Sequence, residues 1–144
     1  MLGVTPYITF EGNCEDAINF YKENLNGEVL YMERYEGSPM ASEGAGDKIL
    51  HCTLKIGDSH VMACDNMHGG QPAATGSNIS LAIGGSDVAA AESMFNKMAD
   101  GGSVTMPMQE TFWAERFGML TDKFGVNWMF NCDKPRDESK EAKA

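Results

Sequence analysis

Lysine and arginine are scarce: 11 stand against 21 aspartates and glutamates, leaving a formal charge of -10. So few cations can neutralise little phosphate, which argues against nucleic acid and anionic membrane surfaces as partners. Long apolar runs are also missing. None approaches the ~20 residues that span a bilayer, and the opening MLGVTPYITF has no basic segment of the secretory kind. A cytoplasmic location with no membrane partner is therefore expected. The four cysteines, Cys14, Cys52, Cys64 and Cys132, contain no CxxC pair, and their spacing fits no zinc ribbon or knuckle. Each lies in an apolar pattern, which reads as buried free thiols in a reducing compartment.

What remains is the make-up of one domain. With 144 residues and 42% hydrophobic content, the chain can bury roughly two-thirds of its unfolded surface. Eleven methionines and sixteen glycines point to a soft, adaptable interior. Val4–Phe10 alternates as a half-buried strand, with Val4, Pro6, Ile8 and Phe10 on one face and Thr5, Tyr7 and Thr9 on the other. Asn13, with Asp16 three residues on, approximates a capping box for a helix carrying Cys14, Ala17, Ile18, Tyr21 and Leu25. Asn26-Gly27 stops it. Strands follow at Glu28–Tyr35, Ile49–Ile56 and Ser59–Cys64, the last two joined by the two-residue turn Gly57-Asp58. The polar, Gly-rich loop Glu36–Lys48 between strands reads as a functional flap or a simply mobile loop.

Beyond a connector at Asp65–Ser77 the order repeats. Asn78–Ile83 is a strand, Ser86 or Asp87 caps a helix with Val88, Ala91, Phe95 and Met98, and Gly101-Gly102 ends it. Ser103–Met108 is the next strand. The last hairpin, about Glu115–Thr121 and Val126–Asn131, turns at Asp122-Lys123-Phe124-Gly125. Asn13 and Ser86 lie about half a chain length apart, so two copies of one unit account for the ordered chain. The reading is α+β: two βαβββ modules, 3–64 and 78–133, with a frayed charged tail at 134–144. In each module one sheet face packs its helix. Leu50, Cys52, Leu54 and Ile56 take that face in the third strand, leaving His51 and Thr53 opposite. Ile79, Leu81 and Ile83, then Trp128, Phe130 and Cys132, take it in the second module; Asn78, Ser80, Ala82, Asn127, Met129 and Asn131 point away. The second faces, curled together, would line a cavity of mixed polarity suited to a small organic molecule.

YITFEGNCEDAINFY, opening the first module, and QETFWAERFGMLTDKFGVNW, closing the second, resemble the PhnB-like branch of the vicinal oxygen chelate superfamily. That superfamily includes glyoxalase, fosfomycin-resistance and bleomycin-resistance proteins. The resemblance covers about residues 3 to 133. It implies a curved, mixed eight-stranded sheet around a cavity, and a homodimer. Some members carry the label 3-demethylubiquinone-9 3-methyltransferase, yet nothing in the chain resembles a Gly-rich adenosylmethionine loop after a first strand.

The superfamily's enzymes hold a divalent metal through His and Glu at four cavity-facing strand positions. Carried over, those positions fall on Thr5 (Tyr7 if the register shifts), His51, Asn78 and Met129. His51 alone is a good ligand, and thioethers suit hard ions poorly. A catalytic zinc keeps three protein ligands, so no metal and no cofactor is the expectation. His60 follows a hairpin turn and His68 sits in the connector; both read as solvated. His51 is either a cavity residue bonded to Thr53 or Asn78, or a general base toward a substrate within reach. Glu110 and Glu115 flank Trp113 and read as rim charges or as an acid/base pair. Gly84-Gly85-Ser86-Asp87 is a strand-to-helix turn rather than a phosphate nest, because Asp87 would repel an anion.

The expected site is Tyr7, His51, Asn78, Trp113, Phe117 and Met129. Trp113 would stack on the ligand, while His51 and Asn78 set polarity. The competing role for Trp113 is filling a gap between layers. Two alternatives stand beside ligand binding: a lyase, isomerase or dioxygenase using His51 as base or sole metal ligand, and a structural or regulatory dimer with a vestigial cavity.

Overall fold

The computed structural model describes residues 3–36, 46–66 and 79–134. The chain divides into two compact units, Met1–Ala74 and Thr75–Ala144. Unit one contains β1 (Tyr7–Phe10), α1 (Cys14–Asn24), β2 (Glu28–Arg34), β3 (Ile49–Ile56) and β4 (Ser59–Asp65). Unit two contains β5 (Leu81–Gly85), α2 (Val88–Ala99), β6 (Ser103–Gln109), β7 (Ala114–Thr121) and β8 (Asn127–Asp133). Each is therefore a βαβββ module of α+β class. The eight strands form two mixed four-stranded sheets, ordered β1-β4-β3-β2 and β5-β8-β7-β6. In each, the strand before the helix pairs in parallel and the others antiparallel.

Helix α1 lays Cys14, Ala17, Ile18 and Tyr21 on β3 and β4, the residues its 3.6-residue period selects. Asn26, at φ 54°, ends it in the left-handed region that Asn tolerates. In unit two Phe95 and Met98 of α2 bury against a sheet whose inner face holds Leu120, Trp128, Phe130 and Cys132. Full burial of one such large apolar side chain contributes about 1.5–3 kcal/mol. An ion pair links helix to sheet in each unit: Arg34 to Glu15 at 2.6 Å, and Arg116 to Glu92 at 2.8 Å. The β3–β4 hairpin turns at Gly57, whose φ of 59° matches the primed turns such loops need. In the β7–β8 turn, Oδ1 of Asp122 accepts from the N–H of Phe124 at 2.8 Å and of Val126 at 3.0 Å.

Several expectations need correcting. β1 begins at Tyr7; Val4 is outside the sheet and almost wholly exposed. Asn13 precedes α1, but its side chain makes no cap. Asp65, expected in the connector, is the last residue of β4 and is 1% exposed. Its Oδ1 accepts from Gly12 N–H at 3.0 Å and Cys14 N–H at 2.9 Å, and its Oδ2 from Ile49 N–H at 2.9 Å. A distant carboxylate thus holds the first N–H of α1.

Ile49 rather than Leu50 lies on the packed face. Glu33 pairs with His51 and Arg34 with Ile49, so Leu50 is the extra residue of a bulge and alternation slips there. β5 starts at Leu81, and Ile79 is 73% exposed instead of packed. Cys64 is half-buried on the face away from α1, unlike Cys14, Cys52 and Cys132. Lys134 is held, its N–H on Trp113 O at 3.4 Å and its Nζ on Glu110 at 3.3 Å. Residues 37–45 of the loop, 67–78 with His68 and Asn78, and 135–144 lie outside the described residues.

Candidate functional site

The open sheet faces are where chemistry-bearing side chains gather, and each unit has its own. In unit one the pairing Tyr7↔Met62, Thr53↔Met62, Tyr31↔Thr53 and Glu33↔His51 puts all these residues on the face opposite α1. Tyr7 Oη lies 3.1 Å from His51 Nδ1, and Thr53 Oγ1 lies 3.4 Å from His51 Nε2. The imidazole also stands between two phenol rings, with Tyr7 at 5.6 Å and Tyr31 at 5.9 Å between centroids. Tyr31 donates to Glu33 Oε2 at 2.7 Å.

Partial burial, and after it the Cys64 side chain, pushes Tyr7 up to about 12. Tyr7 therefore remains a phenol across the physiological range. Of the two candidates for the first metal position, Thr5 is exposed ahead of the sheet, and Tyr7 is the one that reaches His51. Both ring nitrogens of His51 are thus engaged, Nε2 by Thr53, one of the two partners expected for a hydrogen-bonded cavity histidine. A base needs one of them free, so proton abstraction by His51 first requires Tyr7 or Thr53 to swing away.

In unit two the turn before β7 is tied at both ends: Thr111 N–H donates to Ala114 O, and Ala114 N–H to Thr111 Oγ1, each at 3.0 Å. That turn projects Trp113 onto the face opposite α2. There the indole meets Phe117 edge-on at 5.3 Å and Phe112 at 4.8 Å. Its Nε1–H donates to Asn131 Oδ1 at 3.2 Å, while Asn131 Nδ2 donates to Asp133 Oδ1 at 2.7 Å. Phe117 pairs across β7–β8 with Asn131, and Met119 with Met129, so Met129 extends the same surface. Farther along the same strands, Thr121 donates to Asn127 Oδ1 at 2.8 Å.

Of the expected site residues, Tyr7 and His51 come together in unit one, and Trp113, Phe117 and Met129 share one face of unit two. Asn78 lies outside the described residues. Tyr31 and Asn131 were not singled out for the site. Asn131 had the right parity, but only its register against Phe117 shows that it receives the Trp113 N–H. As for the metal of the fold family, the described positions carried over for it hold, in unit one, an imidazole bonded on both nitrogens and a phenol, and in unit two a thioether. A thioether suits a hard divalent ion poorly. Among the described residues no three His, Cys, Asp or Glu side chains come close enough to hold one.

Residues 3–130 match the family described as 3-demethylubiquinone-9 3-methyltransferase. Protein YjdN of Escherichia coli (strain K12) is 34% identical over 142 residues, covering 91% of this chain and 95% of that one. Among solved structures, protein PA1353 from Pseudomonas aeruginosa superposes with a TM-score of 0.83 at 40% identity, covering 94% of this chain and 100% of the other. A Bacillus cereus protein titled putative 3-demethylubiquinone-9 3-methyltransferase, PhnB protein, gives 0.78 at 26% identity, covering 91% and 99%. Fosfomycin-resistance and glyoxylase/bleomycin-resistance structures share the fold at lower identity. With two βαβββ units and a family match over most of its length, the chain belongs to the 3-demethylubiquinone-9 3-methyltransferase-labelled, PhnB-like family.

Proposed function

We propose that the chain binds a small organic molecule without a complete metal site, the Trp113 face of unit two supplying the main contact. One observation carries this reading: a 44% exposed indole is fixed at both ends, on Phe117 by its ring and on Asn131 by its N–H. A loop aromatic that only filled a gap would be covered. Here a ring face stays open beside Phe112, which is 89% exposed. Rigid aromatic surface next to oriented amides is the usual make-up of a site that takes a flat, partly polar ligand. Tyr7 and His51 form a polar pair of their own on the unit-one face.

Titration of small aromatic compounds against tryptophan emission tests the proposal, since Trp128 is buried with its N–H on Asp122 at 2.9 Å and reports little of the surface. Binding quenches wild-type emission, Trp113→Phe removes the response, and Asn131→Ala weakens it about tenfold by freeing the indole, a loss of ~1.4 kcal/mol. Emission unchanged across a broad compound set sinks the reading.

An enzymatic reading, lyase, isomerase or dioxygenase, rests on the Tyr7–His51–Thr53 chain, with His51 as base once a substrate displaces a partner. Turnover that survives His51→Ala excludes it. Methyl transfer is not favoured. The N–H groups that a Gly-rich loop would turn toward a cofactor at the start of α1 are bonded to Asp65 instead. The same proposal has the chain working in the cytoplasm as a homodimer, which light scattering on the purified protein checks.

A further inference from the structure

Two thiols that no part of the proposed site uses touch each other inside unit one. Cys14 opens α1, Cys52 lies in the middle of β3, and their sulfurs are 3.9 Å apart. Both are fully buried, and both are free. Their backbones are held: Cys14 N–H donates to Asp65, and Cys52 pairs with Ala63 of β4. Cys64, by contrast, faces the other way with its sulfur near Thr9 Oγ1, and Cys132 belongs to unit two.

We infer that Cys14 and Cys52 are a disulfide-forming pair that a hydroperoxide oxidises, cross-linking α1 to β3. The sulfurs must close from 3.9 Å to about 2.05 Å, a movement within reach of side-chain rotation and a slight shift of the first helical turn. The two sulfurs share one hydrogen bond in which either can donate. Whichever loses its proton is the attacking sulfur, and the other is the resolving one.

In the first step the thiolate of one of the pair attacks one oxygen of hydrogen peroxide. The O–O bond breaks, leaving the sulfenic acid and hydroxide, which takes up the proton the thiol gave up. In the second, the other sulfur attacks the sulfenic sulfur, the S–O bond breaks, and the departing hydroxide takes the second thiol's proton as water. Two thiols and one peroxide become one disulfide and two waters. Peroxide is small enough to enter during local opening of a helix end. A resolving thiol already in contact traps the sulfenic acid before further oxidation.

The test exposes the intact folded chain to hydrogen peroxide, then denatures, alkylates and maps it. The expected result is loss of two of the four alkylatable thiols, a linked peptide joining Cys14 to Cys52, and an upward shift of the thermal midpoint that dithiothreitol reverses. Cys64→Ser leaves the linkage in place. Four alkylated cysteines after prolonged exposure, a linkage through Cys64 or Cys132, or Cys52 recovered as sulfinic acid without a partner would each overturn the inference. Mapping the wild-type chain decides the matter even where Cys52→Ala fails to fold.

Discussion

Replacing Asp65 by Asn changes one atom at the point where three elements of unit one meet. The wild-type carboxylate accepts three backbone N–H groups, from Gly12, Cys14 and Ile49, at 2.9 to 3.0 Å. Tyr35 donates to the Asp65 carbonyl at 3.0 Å, so the residue also anchors the exit of β2. In Asp65→Asn, the amide oxygen keeps the two bonds at the start of α1. The NH2 group then faces the N–H of Ile49, donor against donor. Loss of one charge-assisted bond, with a buried donor left unsatisfied, costs about 2–4 kcal/mol. Set against total stabilities of roughly 5–15 kcal/mol, that is a severe defect for a change of one atom. At about 2–4 °C per kcal/mol for chains near this size, the thermal midpoint falls by roughly 10 °C. Urea unfolding followed by far-ultraviolet circular dichroism measures it, with an unchanged m-value showing that the same surface is exposed. Asp65→Asn within ~0.5 kcal/mol of wild type would mean that water or backbone rearrangement replaces the carboxylate, and the junction argument fails.

Other outcomes follow from the same geometry. Because burial raises Tyr7 from its usual 10.0 to about 12, its contribution to stability is complete below the unfolded value and is lost as pH climbs through the folded one. Tyr7→Phe therefore flattens the alkaline decline in that window; the effect is small, since half the ring is exposed, and denaturant midpoints at several alkaline pH values read it. Gly102→Ala is predicted to destabilise unit two by about 1–3 kcal/mol through overpacking, because an added Cβ would sit 2.9 Å from Asp122 Cα. Equal thermal midpoints for Gly102→Ala and wild type would contradict it.

The fold was legible because periodicity and turn chemistry are local. Cys14, Ala17, Ile18 and Tyr21 mark one helical face, Gly57-Asp58 and Asp122…Gly125 mark the hairpins, and the repeat from one half to the other gives the module order. What escaped depends on partners distant in sequence. Asp65 reads as the first residue of a polar connector, and nothing near it announces that it caps a helix that starts some fifty residues earlier. Asn13 reads as the cap from its local pattern, but its side chain makes no such bond, and Asp65 holds the first helical N–H from β4. The site shows the same division. Alternation placed His51 and Met129 opposite the helices, but the Trp113–Asn131 bond and the Tyr7–His51 contact come from register between strands, which a sequence does not display.

The bulge in β3 gives the sharpest comparison between pattern and packing. Strict alternation gives Leu50, Cys52 and Leu54 the packed face, which makes Leu50 a core residue and Ile49 an outward one. The pairing of Glu33 with His51 and of Arg34 with Ile49 reverses the first of these: Ile49 is fully buried and Leu50 only half-buried. Truncation separates the two arrangements. Ile49→Ala removes a fully packed side chain and is expected to cost about 2–5 kcal/mol, the range for large-to-Ala changes in cores. Its backbone bond to Asp65 survives the change, so the loss reports packing alone. Leu50→Ala takes away a side chain that water already reaches, and about 1 kcal/mol is expected. Urea unfolding of both variants ranks them. If Leu50→Ala proves the more damaging, alternation runs unbroken through β3. Arg34 would then pair with Leu50 instead of Ile49, and the Asp65 bond to the Ile49 N–H could not be as described, while His51 would keep its place opposite Glu33.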